Sequence, residues 1–205
     1  KQSKELPCEL AVFTNFDCVL DSGFKLKNFK LAFKTYGKLN KKKNNAILIC
    51  HALTGDQFIA EKHPITHKEG WWARMVGPGK PIDTNKYFVI GNNVLGGCIG
   101  STGPKEINPE TQTPYGLKFP AVTIKDMVKV QKYLIDALQI EKLFAVAGGS
   151  MGAMQVLQWI IDYPENILNA IHIAGALKHS TQNIAFHEVG RQAIISDPGW
   201  AQGNY

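Results

Sequence analysis

The stretch Leu143-Phe144-Ala145-Val146-Ala147-Gly148-Gly149-Ser150-Met151-Gly152 decides the fold. Its first five residues are a continuous apolar run with no polar face, which predicts a strand buried on both sides. A G-x-S-x-G sequence follows at once. Residues 151–163 then offer Met154, Val156, Leu157, Trp159, Ile160 and Ile161 as a helix that Pro164 stops. A serine at a strand-to-helix turn is held in a strained backbone conformation. The positions two before and two after it must be nearly free of side chain if strand and helix are to pack closely, and Gly148 and Gly152 satisfy this. Such a turn points the hydroxyl away from the sheet. The helix N-terminus behind it offers unpaired N–H groups and the positive end of its dipole to a developing oxyanion. Ser150 is therefore the candidate nucleophile. A phosphate-binding loop is the competing use of a Gly-rich turn, but it would add a lysine or further spaced glycines, and neither is present.

Working outward, short apolar runs recur at 46–50, 87–90 and 170–174. Residues 123–138 place Ile124, Met127, Val128, Leu134, Ile135 and Leu138 on one helical face, with Thr123 and Asp126 spaced for a capping box. Apolar strands alternating with helices predict an α/β fold, a mostly parallel sheet with helices on both faces. Residues 24–36 alternate apolar and polar around Phe29, Leu31 and Phe33, and read as one or two half-buried antiparallel strands at a sheet edge. Residues 54–85 and 92–120 follow neither period. Their Trp71, Trp72, Tyr115 and Phe119 predict ordered, packed loops, and Trp71, Trp72 and Trp159 read as packing residues, not a cofactor platform.

A chain of 205 residues has room for a single domain, taken here as 1–205. Apolar residues are 44% and charged residues 20%, with no run of roughly 18 apolar residues that could span a bilayer. The formal charge is +6. The Lys41-Lys42-Lys43 run lacks interleaved aromatics, so it reads as a solvated turn and not as a nucleic-acid patch. Cys8, Cys18, Cys50 and Cys98 are spaced for neither zinc nor a disulfide scaffold and read as reduced thiols. The opening KQSKELPCEL has no initiator methionine and no export signal, which suggests a chain cut at its N-terminal end.

A serine nucleophile needs a second oxyanion donor, from the loop after an earlier buried strand. His51-Ala52-Leu53-Thr54-Gly55-Asp56 follows such a strand, so the backbone N–H of Leu53, within one residue either way, is expected to join that of Met151. His51 is expected to fix this loop by hydrogen bonding and not to act as a base. His63 and His67 stand four apart, but Pro64 breaks the helix that would align them, so no metal site is assigned.

HALTGD (51–56), EGWWARMVGPGKPIDTNKYFVIGNNVLGGCIGSTGP (69–104), NPETQTPYGLKFPAVTIKDMV (108–128), GGSMGAMQVLQW (148–159) and HEVGRQAIISDPGW (187–200) together resemble, in order, the signature segments of the homoserine O-acetyltransferases. Relatives of that family use succinyl-CoA or act on serine. The resemblance implies an α/β-hydrolase fold and transfer of an acetyl group from acetyl-CoA, or a succinyl group from succinyl-CoA, to the hydroxyl of homoserine through acyl-Ser150, an early step of methionine biosynthesis. It also implies a cytoplasmic homodimer that acts on small molecules, with acyl-CoA as co-substrate and neither bound cofactor nor metal, and away from membranes and nucleic acid. Ala153 departs from the family, which has a glycine there.

In this type of site an acid and a histidine follow the serine and activate it. The acids after Ser150 are Asp162, Glu165, Glu188 and Asp197, and the histidines are His172, His179 and His187. Asp162 is about 18 Å along a helix from the turn. His172 falls in a predicted strand, and neighbours such as His187 and Glu188 do not share a helix face. The expectation is that neither triad partner is in this chain, that the fold stops before its last strands, and that a lid begins near residues 178–196. A serine esterase of the same fold and a non-catalytic fragment are the alternative readings.

Overall fold

The computed structural model describes residues 8–203; residues 1–7, where a targeting signal was sought, and the last two residues lie outside the described residues. In chain order the strands are Glu9–Val19 (β1), Lys25–Tyr36 (β2), Ala46–Cys50 (β3), Val76–Gly77 (β4), Ile82–Asp83 (β5), Phe88–Asn92 (β6), Leu143–Gly149 (β7) and Ile167–Ile173 (β8). The helices are Ile124–Ala137 (α1), Met151–Asp162 (α2) and Thr181–Ile195 (α3). Six strands make one sheet in the order β1-β2-β6-β3-β7-β8, and β4 pairs with β5 apart from it. The β6-β3-β7-β8 part is parallel, while β1 and β2 join antiparallel.

The α/β class and the mostly parallel sheet follow from the apolar runs. All five residues of β3 are buried, alternating between two cores. Ala46, Leu48 and Cys50 face the core shared with Val128, Leu134 and Ile135 of α1 and Val156 and Trp159 of α2. Ile47 and Ile49 face the opposite side with Val89, Ala145 and Ala147. Fully burying a side chain such as Leu48 contributes roughly 1.5–3 kcal/mol. Helix α1 starts on a complete capping box: the Thr123 side chain accepts from Asp126 N–H at 3.2 Å, and Asp126 Oδ2 accepts from Thr123 N–H at 3.0 Å.

Two details differ from the sequence reading. Both α1 and α2 contribute to one core, and the second face is covered by Ile59, Trp72, Met75, Val76 and Ile82 instead of a helix. That cover is loop and short ladder, so it has no helical period to read. The edge is a hairpin whose first strand, β1, lies upstream of the stretch read as strand; its register shifts between Phe13 and Asp17, which breaks the alternation that marks a strand. The aromatic residues of the loops are packed as expected. Trp71 and Trp72 stack at 5.5 Å, and Tyr115 and Phe119 meet edge to face at 5.4 Å.

Helix α3 is capped by Ser180, whose side chain accepts from Asn183 N–H at 3.2 Å, and all its residues are exposed. Among the described residues no helix is long and apolar enough to cross a membrane.

Candidate active site

Strand β7 passes directly into α2 through Ser150, which has φ 57° and ψ −121°. This is a region that non-glycine residues rarely occupy, at a cost of about 1–3 kcal/mol. Neighbouring structure holds it there. Ser150 N–H donates to Ile173 O of β8 at 3.1 Å, and Gly148 pairs with Cys50 of β3. A Cβ on Gly148 would lie 2.5 Å from Gly152 O, and one on Gly152 would lie 2.1 Å from Cys50 O. Both contacts are with backbone, which cannot swing aside, so the close crossing of β3, β7 and α2 needs glycine at both places.

Ser150 is exposed, and its side chain makes no capping bond to the helix it precedes. Among the described residues the hydroxyl has no hydrogen-bond partner, and it stands at the head of α2, where the unpaired N–H groups and the dipole favour negative charge. Met151 is the first residue of that helix. Its N–H and that of Leu53 have no hydrogen-bond partner among the described residues.

Two cavities meet at this point. One, of about 680 Å³, is lined by Ser150, Met151, Met154, Leu53, Val122 and Ile124, and on its far side by His179, Ile184, His187 and Arg191 around α3. The other, of about 620 Å³, shares Leu53, Val122 and Met151 and runs beneath the 93–99 loop to Asp56 and His63. The Gly-rich stretch 92–120 therefore borders the space beside the serine.

The histidines divide by what their nitrogens already do. His51 is buried; its Nδ1 lies 2.6 Å from Ala52 O and its Nε2 accepts from Val94 N–H at 3.1 Å, so both nitrogens are committed and the ring fixes the loop. Burial lowers its pKa below the usual histidine value, and the bond to Ala52 O only partly opposes this. His63 Nδ1 lies 3.1 Å from Ile65 N–H and 3.2 Å from Thr66 N–H, and both can only donate. Its Nε2 must then carry the hydrogen that meets Asp56 Oδ2 at 2.9 Å, which leaves no lone pair to take a proton from a serine.

His179 and His187 pack edge to face at 5.4 Å and line the cavity that holds Ser150. Nothing in the sequence aimed them there. No carboxylate hydrogen-bonds to either among the described residues, and Glu188 is engaged by Arg191 and Gln192. His172 is exposed on β8, and Asp162 ends α2, away from the turn.

A parallel sheet whose central strand turns through an exposed, positive-φ serine into a helix defines a hydrolase-type α/β protein, and the family model for the alpha/beta hydrolase fold matches residues 45–205. The chain belongs to that family. Within it the chain is similar to homoserine O-acetyltransferases: it is 60% identical to that of Nitrobacter hamburgensis over 186 residues, 91% of this chain and 47% of the relative. Among solved structures it matches homoserine O-acetyltransferase from Bacillus anthracis (TM-score 0.89, 32% identity, 99% of this chain and 56% of that one). It also matches esterase E22 (TM-score 0.86, 38% identity, 97% of this chain and 56% of that one). The chain spans about half the length of the curated relatives it matches.

Proposed function

We propose that the chain carries the nucleophile of an acyltransferase that moves an acetyl group from acetyl-CoA to the hydroxyl of L-homoserine. The observation that carries this is Ser150 itself, exposed at φ 57° on a cavity that Leu53 and Met151 also line, with the backbone N–H groups of those two residues unpartnered among the described residues. Ser150 Oγ attacks the thioester carbonyl, and the oxyanion that forms is held by the N–H groups of Leu53 and Met151. Collapse releases coenzyme A as the thiol. The homoserine hydroxyl then attacks the acyl-serine, and its proton ends on Ser150 as the ester leaves.

The 60% identity to homoserine O-acetyltransferases favours acyl transfer over hydrolysis. With His51 and His63 committed elsewhere and no carboxylate hydrogen-bonded to His179 or His187 among the described residues, the base and its orienting acid are assigned to the part of the relatives that this chain does not cover. Residues 178–196 would begin a lid, since α3 lines the serine's cavity without packing on the sheet. A homodimer in the cytoplasm, serving methionine biosynthesis, completes the reading on the family's pattern.

The likeness to esterase E22 supports a second reading, in which water takes the acyl group. Radiolabelled acetyl-CoA and succinyl-CoA, offered with and without homoserine to the full-length gene product and to Ser150→Ala, separate these. Label on Ser150 that passes to homoserine identifies the transferase and its donor. Label released only as free acid identifies an esterase, and equal labelling of Ser150→Ala removes the serine from the mechanism.

A further inference from the structure

Beneath the turn lies a chain of buried polar groups that the acyl-transfer chemistry does not touch. Trp159 Nε1–H donates to Gln131 Oε1 at 2.8 Å, Gln131 Nε2 donates to Gln155 Oε1 at 2.7 Å, and Gln155 Nε2 donates both to His51 O at 3.2 Å and to Met151 O at 3.3 Å. The Cys50 thiol also reaches Gln131 Oε1, at 3.9 Å. Gln131, Gln155 and Trp159 are all fully buried.

The order of donors in this chain is forced. An indole N–H can only donate, so Gln131 must present its oxygen to Trp159 and its NH₂ to Gln155. Gln155 must then present its oxygen to Gln131 and its NH₂ to the two carbonyls. A reversed Gln155 amide would place an oxygen against two carbonyl oxygens and an NH₂ against an NH₂. One rigid orientation results, fixed by the indole at one end and by the two carbonyls at the other.

The two carbonyls at the far end belong to the two segments that supply the oxyanion donors. Met151 carries one donor, and His51 O belongs to the peptide directly before Ala52, next to the Leu53 donor. Among the described residues, Gln155 Nε2 is the one donor to His51 O. Without it that buried carbonyl loses its partner, at a cost that favours rotation of the peptide.

We propose that Gln155 is a positioning residue for the oxyanion hole, a single amide that sets the spacing of the Leu53 and Met151 N–H groups and is itself aimed by Gln131 and Trp159. This rests on the reading of Ser150 as the acyl-accepting nucleophile. Gln155 touches neither substrate nor the reacting atoms. Its effect is on the placement of donors, where an error of about 1 Å can cost on the order of 100-fold in rate.

The test uses Gln155→Glu, Gln155→Met and Trp159→Phe in the full-length gene product. The readout is single-turnover thiol release from saturating acetyl-CoA, with the acyl group located by intact and peptide mass, taken as the ratio of variant to parent from about pH 5 to pH 8. A protonated glutamate can still donate to one carbonyl, and an ionised one repels both. The Gln155→Glu ratio should therefore be about 0.01–0.1 at the upper end and recover by about tenfold or more at the lower end, while the acetyl-CoA concentration that half-saturates thiol release, measured in a separate titration, stays unchanged. Gln155→Met should be slow at every pH, and Trp159→Phe, which removes the donor on Gln131 Oε1 and so loosens the amide that aims Gln155, should lose a few-fold in the acylation rate.

A Gln155→Glu ratio that is flat across pH, or Gln155→Met within about twofold of the parent, overturns the proposal. So does a pattern of lowered melting temperature with unaltered acylation, which is what a purely structural amide gives. If Gln155→Met does not fold, the Gln155→Glu ratio to the parent still decides, because its change between the two ends of the pH range is read on one folded variant. If the parent protein itself takes no acyl group on Ser150, the nucleophile reading fails, and this inference fails with it. That outcome is distinct from an acylating parent whose variants are indifferent.

Discussion

Replacing Gly152 by alanine should damage stability and chemistry together, by amounts that can be worked from the crossing of α2 over β3. The added Cβ would sit 2.1 Å from Cys50 O and 3.1 Å from His51 O, so the nearer contact falls about 1.3 Å short of the 3.4 Å where ordinary contact begins. Both oxygens are backbone. β3 is clamped between β6 and β7, so the first turn of α2 must move outward. Overpacking of this kind costs about 1–3 kcal/mol. For a domain of this size that is a fall in melting temperature of roughly 2–12 °C. The same movement carries Met151 N–H away from Leu53 N–H, and a displacement of about 1 Å should lower acylation on the order of 100-fold. Differential scanning calorimetry and single-turnover thiol release on one preparation measure both. A Gly152→Ala protein that melts within about 1 °C of the parent and acylates within about twofold of it would refute the tight crossing as the basis of the site.

Three further outcomes are expected. Ser150→Gly should raise the melting temperature by a few degrees while abolishing acylation, since glycine relieves about 1–3 kcal/mol of strain at φ 57° and gives part of it back as unfolded-chain entropy; a fall in melting temperature would count against stored strain. His51 is held neutral with its pKa lowered by burial, so the unfolded chain binds the extra proton. Stability from this residue should be full above about pH 6.5 and decline as pH falls below it, and the difference in that slope between parent and His51→Gln, read by urea titration, should vanish if the ring were exposed. Asp56→Asn should cost about 1–3 kcal/mol in the same assay, because Asp56 accepts from Phe58 N–H and from His63 at once and an amide has one acceptor to offer; a neutral result would mean that His63 changes tautomer freely.

Much of this was legible because the physics is local. The β7 run and the G-x-S-x-G turn predict the strained serine, since only glycine tolerates the backbone oxygens found at Gly148 and Gly152. The Thr123–Asp126 box and the bond of His51 Nδ1 to its own loop at Ala52 O could be read because each is settled within a turn or at a strand end. What escaped depends on partners distant in sequence. β1 was hidden by its bulge, and the cover over Ile47 and Ile49 by its lack of any period. His179 and His187 reach the serine's cavity only through the path of the chain after β8. Trp159 reads as apolar packing, which it is, but its indole N–H also aims Gln131, and nothing about residue 131 at helical spacing announces a partner 28 positions away.

The side chains that hold Met151 and His51 together are two amides, an indole and the thiol of Cys50, whose pKa burial pushes up to about 12. None of them has a charge to gain or lose across the neutral range. On the proposed reading these four side chains set the hole with no response to acidity, and a pH–rate curve would report the base that activates the serine, the substrates and the His51 ring that fixes the Leu53 loop.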